Sequence, residues 1–425
     1  MPPRGLPTPW TLYNLEASPF FQEPLEGADK SARPLNLFVG REQELKRLLD
    51  GIRNAGENSS RQAVAGSPGV GKTTLVKELK ALALESGYLA TDELVPILAG
   101  DTAESLFGRV LSVLYDTILA NRPQSSDNAA MQNAQQLVRV ARLGTGGANI
   151  SALGFGVGVS KGATVMTPSD ILIDGPRVVR DLVRMVRESD ASGVLLHLNN
   201  LENLSEADAQ RAATILRDLR DLLLMHSGLH YIIVGTTDAT SIAVSSHPQV
   251  RNIVSTLVLE PLSVDDVHLM LRTRYDHLRA TPSAPAMAPV SDDAVAMLYE
   301  FFKGDLRGLL KALEDGVTPL LGLQGGAVRA LTLADLRPVL QQRYHTELNA
   351  LPEQTRAAQL TKWGVERRDA VQTQKSLRTL WGVSQPAVSQ ALSYLVGQGY
   401  VNTLPRNSAG AVGYELSGIS RLIFG

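Results

Sequence analysis

The stretch Gly66-Ser67-Pro68-Gly69-Val70-Gly71-Lys72-Thr73-Thr74 has the residue types of a phosphate cradle. Its glycines let main-chain N–H groups converge on phosphate oxygens without Cβ collisions. Lys72 would reach the β- and γ-phosphates, and the Thr73 hydroxyl would ligate Mg²⁺. The apolar run Ala63-Val64-Ala65 precedes it, and Leu75, Val76, Leu79, Leu82 and Ala83 follow at helical spacing. The order is therefore strand, glycine loop and helix, with the positive end of the helix aimed at the ligand. ATP or GTP with Mg²⁺ is the expected occupant, touched by Gly66 through Thr74.

Upstream, Asn36-Leu37-Phe38-Val39-Gly40-Arg41-Glu42 leads into Glu44, Leu45, Leu48 and Leu49 at helical spacing. With this turn ahead of a phosphate loop, the sequence resembles the AAA+ ATPases, in particular the origin-recognition and initiator group. The resemblance covers roughly residues 36–425, leaving 121–170 outside it. It implies an α/β fold, a parallel sheet flanked by helices, followed by a helical lid and a C-terminal winged helix-turn-helix domain. It also implies that Val39 and Gly40 lie at the adenine.

In that family a second nucleotide-site strand ends in Asp-Glu, the first holding the Mg²⁺ shell and the second polarising the attacking water. Here Gly193 to Asn200 is the strand, and Asn199 and Asn200 occupy both places. An amide can hydrogen-bond a metal-bound water or a phosphate, but it carries no charge and accepts no proton. Slow hydrolysis is expected unless another acid substitutes. Glu202 is the obvious one, although it equally suits a helix entry with Ser205 and Asp208 as a capping pair. The strand Leu229 to Thr237 ends in hydroxyls, and the resemblance makes Thr236 or Thr237 the residue that orients the attacking water. Family position makes Arg251 an arginine finger for a neighbouring subunit, against a plain surface salt bridge. Gly304-Asp305-Leu306-Arg307 matches the initiator group's lid signature, in which Arg307 would sense the phosphates. His197, in mid-strand, reads as a packed core residue.

From Leu351 the texture changes. Thr373 to Val383 reads as a helix and glycine turn. Ser384 to Leu395 is a second helix, with Ser384 as cap and Pro386 in its first turn. Gly399 to Leu416 completes two strands around a polar loop. This resembles a winged helix-turn-helix, in which Ser384, Gln385, Ser389 and Gln390 could reach base edges and Arg378 and Arg406 the backbone. Residues 351–425 carry eight Lys/Arg against four Asp/Glu, in a chain whose formal charge is −2. The local excess favours double-stranded DNA. The second helix has no Lys or Arg, which argues against tight sequence-specific binding.

Composition sets the outer bounds. At 425 residues, with 44% hydrophobic and 20% charged residues, the chain supports two or three domains with real cores. The absence of cysteine excludes disulfides, thiolate catalysis and cysteine zinc sites. With no signal pattern and no long apolar run, a cytoplasmic protein is expected. Residues 1–35 read as an extended Pro-rich arm whose aromatics dock on some neighbouring surface. Residues 36–262 read as the nucleotide domain, 263–325 as the lid, and 331–425 as a linker helix with the winged domain. Within 121–170, alternation of Leu153, Phe155, Val157 and Val159 with Ala152 and glycines predicts a hairpin over 144–162 with one bare face for a partner.

The leading functional expectation is a self-associating, ATP-binding switch on DNA with slow hydrolysis, of initiator, mobile-element or defence type. The alternative is a signalling NTPase whose winged domain is an autoinhibitory or protein-interaction module. A transcription regulator with ATP as effector is a third.

Overall fold

A computed structural model describes residues 9–22, 37–145, 171–321, 328–406 and 410–425. The chain divides into two compact units, residues 24–260 and residues 1–23 with 261–425.

The first unit opens with α1 (Glu42–Ala55), β1 (Arg61–Gly66), α2 (Lys72–Glu85), β2 (Tyr88–Leu89) and β3 (Val95–Pro96). There follow α3 (Ala103–Asn121), α4 (Ala129–Thr145), α5 (Ile171–Glu188), β4 (Gly193–Asn199), α6 (Glu206–Asp218) and β5 (Leu229–Gly235). It closes with α7 (Thr237–Ser245), α8 (Pro248–Arg251) and β6 (Ser255–Leu259). The strands pair in parallel in the order β2-β4-β5-β1-β6, with β3 on the end of β4.

Successive side chains on a strand face opposite ways, and the core divides accordingly. Ala63, Val194, Leu196, Leu198, Tyr231 and Ile233 pack with α3 to α7, while Val64, Leu195, Ile232 and Val234 pack with α1 and α2. Burial on both faces explains why β4 and β5 are continuous apolar runs. The register pairs Ala65 with Gly235, Gly66 with Leu259 and Leu198 with Ile233. The carboxyl ends of β1, β4, β5 and β6 thus share one edge. Strand order reverses at β1, which is where an open parallel sheet leaves a ligand crevice.

β2 and β3 are two short pieces. α6 ends at Asp218 and the chain continues as a π turn, Arg220–Leu224. The polar stretch after Asn121 is a 3₁₀ turn, Pro123–Asp127, and α4, whose Met131, Ala134, Leu137, Val138 and Ala141 are buried against the α3 and α5 side of the core. Its many Asn and Gln residues mask an apolar stripe at helical spacing. The Gly-rich remainder, with the hairpin expected at 144–162, lies outside the described residues from 146 to 170.

The second unit contains α9 (Val264–His277), α10 (Asp292–Phe301), α11 (Leu306–Leu321), α12 (Leu333–Asn349) and α13 (Gln354–Arg367). Then come α14 (Gln374–Trp381), α15 (Gln385–Gly397), β7 (Val401–Arg406), β8 (Val412–Leu416) and α16 (Gly418–Phe424). The segment expected as a lid and the C-terminal segment are one packed body, with α12 against α10 and α11 and α16 against α12 and α13.

The N-terminal arm belongs to this unit. Trp10, Tyr13, Leu15, Phe20 and Phe21 are buried. Asn14, at φ 59°, accepts from the Thr281 N–H at 2.8 Å and donates to the Ala284 carbonyl at 3.0 Å. Arg274, itself buried, donates to the carbonyls of Pro19 (3.1 Å) and Phe21 (2.9 Å) and lies 4.0 Å from the centre of the Phe21 ring. The surface that receives the aromatics is therefore this same chain.

Candidate nucleotide site and helix-turn-helix surface

At the end of β1, Gly66 leaves little space for a side chain. A Cβ on Gly66 would stand 3.0 Å from the Leu259 carbonyl oxygen, and Gly69 and Gly71 take φ of 80° and 97°. Those positive values favour glycine and turn the loop tightly into α2. The first bond closing onto the helix runs from the Leu75 N–H to the Gly71 carbonyl at 3.0 Å. The N–H groups of Lys72, Thr73 and Thr74 precede the ladder and remain donors for an anion. Lys72 Nζ donates to the carbonyls of Gly66 and Ser67, both at 2.9 Å, so its ammonium rests over the loop. Ser67, Pro68 and the Thr73 hydroxyl are exposed, Thr74 is half-buried, and Val70 is buried beneath the loop. A cradle of this build fits a nucleoside triphosphate and, at Thr73, its Mg²⁺.

Val39 and Gly40 are half-buried at the entry to α1. Arg41 between them and the helix is 5% exposed, and sequence reasoning did not single it out. It donates to the Val70 carbonyl at 3.2 Å and to the Glu260 carbonyl, and pairs with Glu44 at 2.9 Å. One buried guanidinium thus ties the turn, the phosphate loop and the exit of β6. A buried arginine is costly unless carbonyls and an acid receive it, and no local pattern announces those partners.

Asn199 is the last residue of β4, and its Oδ1 accepts the N–H of Asn200 at 2.6 Å. Asn200 sits in the left-handed region at φ 80°. Its Nδ2 donates to the Ile97 carbonyl at 3.0 Å, and its Oδ1 accepts from Asn203. The amide expected to meet metal-bound water instead pins β3 and the following turn. Glu202 is exposed in that 3₁₀ turn, Leu201–Asn203, while Ser205 caps α6 by accepting from the Asp208 N–H at 3.2 Å. Thr236, one residue beyond the Gly235–Ala65 pair, caps α7 by accepting from the Ala239 N–H at 3.4 Å, and its hydroxyl donates to no acceptor among the described residues. Thr237 is exposed.

His197 is 4% exposed, and burial, then the charge of nearby Lys80, pushes its imidazole down to about 3. It is a neutral core residue, in keeping with its mid-strand position. Lys80 is also buried, which pulls its ammonium down to about 8, and it donates to the Thr91 carbonyl at 2.6 Å. Arg251 closes α8, exposed and without a side-chain hydrogen bond or ion pair among the described residues.

In the second unit, Gly304 and Asp305 of the lid signature, and Gly308 just after it, have local tasks. Gly304 turns at φ 82°, where a Cβ would lie 2.3 Å from that of Pro261. Asp305 accepts the Gly308 N–H at 3.1 Å, and burial pushes its carboxyl above the usual range. A Cβ on Gly308 would collide with the Phe302 ring at 2.4 Å. Arg307 is exposed in the first turn of α11, where its N–H and its charge both favour the ionised form of the Asp305 carboxyl.

Gly382, left-handed at φ 68°, ends α14, and Ser384 opens α15 in extended conformation without a side-chain cap bond. Val388, Ala391, Leu392 and Leu395 face the core, so Ser384, Gln385, Ser389 and Gln390 are all exposed. β7 and β8 form an antiparallel pair, and Gln372 adds a bridge to Tyr414. Among the basic residues, Arg356, Arg368 and Arg421 are paired with Glu353, Asp369 and Glu415. Lys362, Lys375 and Arg378 are exposed and unpaired among the described residues. Arg406 is the last residue of β7, opposite Val412.

Among the described residues there is no cluster of His, Cys, Asp and Glu suited to a metal, and no helix long and apolar enough to cross a membrane. Residues 37–227 match the family model described as an AAA ATPase domain. The chain is also similar to solved structures of origin-recognition proteins. Against the Aeropyrum pernix ORC1 protein in complex with DNA, identity is 16% over 91% of this chain and 92% of that one, with a TM-score of 0.43. Against the Aeropyrum pernix ORC2 protein in ADPNP-ADP complexes, it is 15% over 95% of each chain, TM-score 0.46. Against Cdc6p from Pyrobaculum aerophilum, it is 15% over 95% and 97%, TM-score 0.42. With its glycine loop at the strand-order reversal of a parallel sheet and the match over 37–227, that stretch of the chain is an AAA ATPase domain.

Proposed function

We propose that the protein is an ATP-binding nucleotide switch that acts on double-stranded DNA and hydrolyses ATP slowly. The observation that carries the reading is the pairing of an intact phosphate loop on β1 with a β4 end that presents two amides, one of them already bonded to Ile97 and Asn203. Binding and turnover are thereby separated: the cradle can hold the triphosphate and its Mg²⁺ at Thr73, while no carboxylate stands at Asn199 or Asn200 to draw a proton from water.

Arg307 and Arg251 are exposed cations that serve as phosphate sensors, the first for lid closure and the second for a neighbouring copy. The helix-turn-helix, read as a winged domain, offers Ser384, Gln385, Ser389 and Gln390 to the groove and Lys362, Lys375, Arg378 and Arg406 to phosphates.

Calorimetry with ATP and GTP in Mg²⁺, on wild type and Lys72→Ala, tests the binding step. Uptake by the wild type that Lys72→Ala abolishes is expected, and no uptake of either triphosphate sinks the reading. Steady-state phosphate release with and without duplex DNA should be low. Robust turnover that survives Glu202→Gln contradicts the account of β4.

A further inference from the structure

We propose that Gln374 is a positioning residue that orients Gln385 to read adenine in double-stranded DNA, an inference that rests on the DNA reading above. Gln385 is the first residue of α15 and is exposed, and Gln374 is the first residue of α14. The Nε2 of Gln374 donates to the Tyr414 hydroxyl at 3.3 Å, and its Oε1 accepts from the Nε2 of Gln385. Tyr414 is itself held in place. Its backbone exchanges two hydrogen bonds with Gln372, both 2.7 Å, immediately before α14, and the residue is 8% exposed.

The chain of bonds therefore has a fixed sense, from a buried phenol through one amide to the next. An amide has two N–H donors on one side and a carbonyl on the other, so its orientation matters. With Gln374 turned so that its oxygen faces α15, Gln385 must spend one N–H on it. A second N–H and the Oε1 stay free among the described residues, side by side at the start of α15. That donor and acceptor complement the N7 and N6 amino group of adenine in the major groove, whereas guanine presents two acceptors there. Because α15 has no Lys or Arg, base preference from this helix rests on amides and hydroxyls.

Selection of full-length protein on a randomised duplex pool is the test, run for wild type, Gln385→Ala, Gln374→Leu and Gln374→Glu. The wild type should enrich one adenine, and Gln385→Ala and Gln374→Leu should lose the preference at that position alone. Gln374→Glu keeps an acceptor for Gln385 and should retain it, a rescue that a merely structural role does not produce. Replacing the adenine by 7-deazaadenine should weaken wild-type binding by roughly five- to hundred-fold and leave Gln385→Ala unaffected. Salt-dependent binding with no adenine enriched, or a preference unchanged in Gln374→Leu, overturns the amide assignment alone. Failure to retain any duplex overturns the DNA reading with it.

Discussion

Restoring the missing acid at Asn200 should fail, and the structure says by how much. In Asn200→Glu the Nδ2 donor to the Ile97 carbonyl disappears, while a carboxylate oxygen can still accept from Asn203. A carboxylate is turned toward a carbonyl in a half-buried turn, at a cost of about 1–3 kcal/mol. The left-handed φ of 80° adds about 1 kcal/mol for a side chain lacking the short amide that tolerates it. The sum, about 2–4 kcal/mol, lowers the melting temperature by roughly 5–12 °C for a unit of this size. Asn199→Asp is the matched control. Its carboxylate keeps the bond to the Asn200 N–H, so stability should stay within about 0.5 kcal/mol of wild type. Thermal and urea unfolding give the stabilities, and phosphate release gives turnover, which should not rise in Asn200→Glu. An Asn200→Glu protein as stable as wild type and ten-fold or more faster would refute the assignment of this amide to the turn.

Other expectations concern the rest of the molecule. His197 and His230 are held neutral, the first near 3 and the second near 4, by burial and then by Lys80 and Arg61 respectively. The unfolded chain binds protons there below about 6.5, so stability should fall as pH drops toward 4, by about 1.4 kcal/mol per pH unit per histidine. Urea midpoints should trace that slope, and His197→Leu should remove one histidine's share. Arg378→Gln and Lys375→Gln should each reduce the salt dependence of duplex binding by about one unit of log-log slope if each meets a phosphate, measured by anisotropy titration. Phe20→Ala removes a fully buried ring from the arm and should destabilise residues 261–425 by about 3–5 kcal/mol, read from hydrogen exchange of α9 to α11.

The nucleotide unit was legible because its elements announce themselves twice. The loop 66–74 has both motif and flanks, and β4 and β5 are apolar runs ending in polar residues. Boundaries such as the π turn at Arg220 are set by packing, which no periodicity encodes. α4 escaped because buried alanines and a methionine, spaced among amides, carry little hydrophobic contrast. The roles of Asn200 and Arg41 could not be read at all. Asn200 is committed by a carbonyl more than a hundred residues away in sequence, and Arg41 by Val70 and Glu260, and such long-range partners leave no local trace. The lid signature went the other way: Gly304, Asp305 and Gly308 each meet a steric or capping demand, which explains why those types stand there.

Trp10 to Phe21 complete a body whose other residues, 261–425, are made only after the ATPase half. Domains form as soon as their residues emerge, so the ATPase half can reach its native state while the first segment is still waiting for its hydrophobic seat. During synthesis those aromatics are solvent-exposed, a window for chaperones or for pairing with another nascent copy. Moving the segment to follow Gly425 would close that window, and soluble yield from such a rearranged gene would measure what the waiting costs.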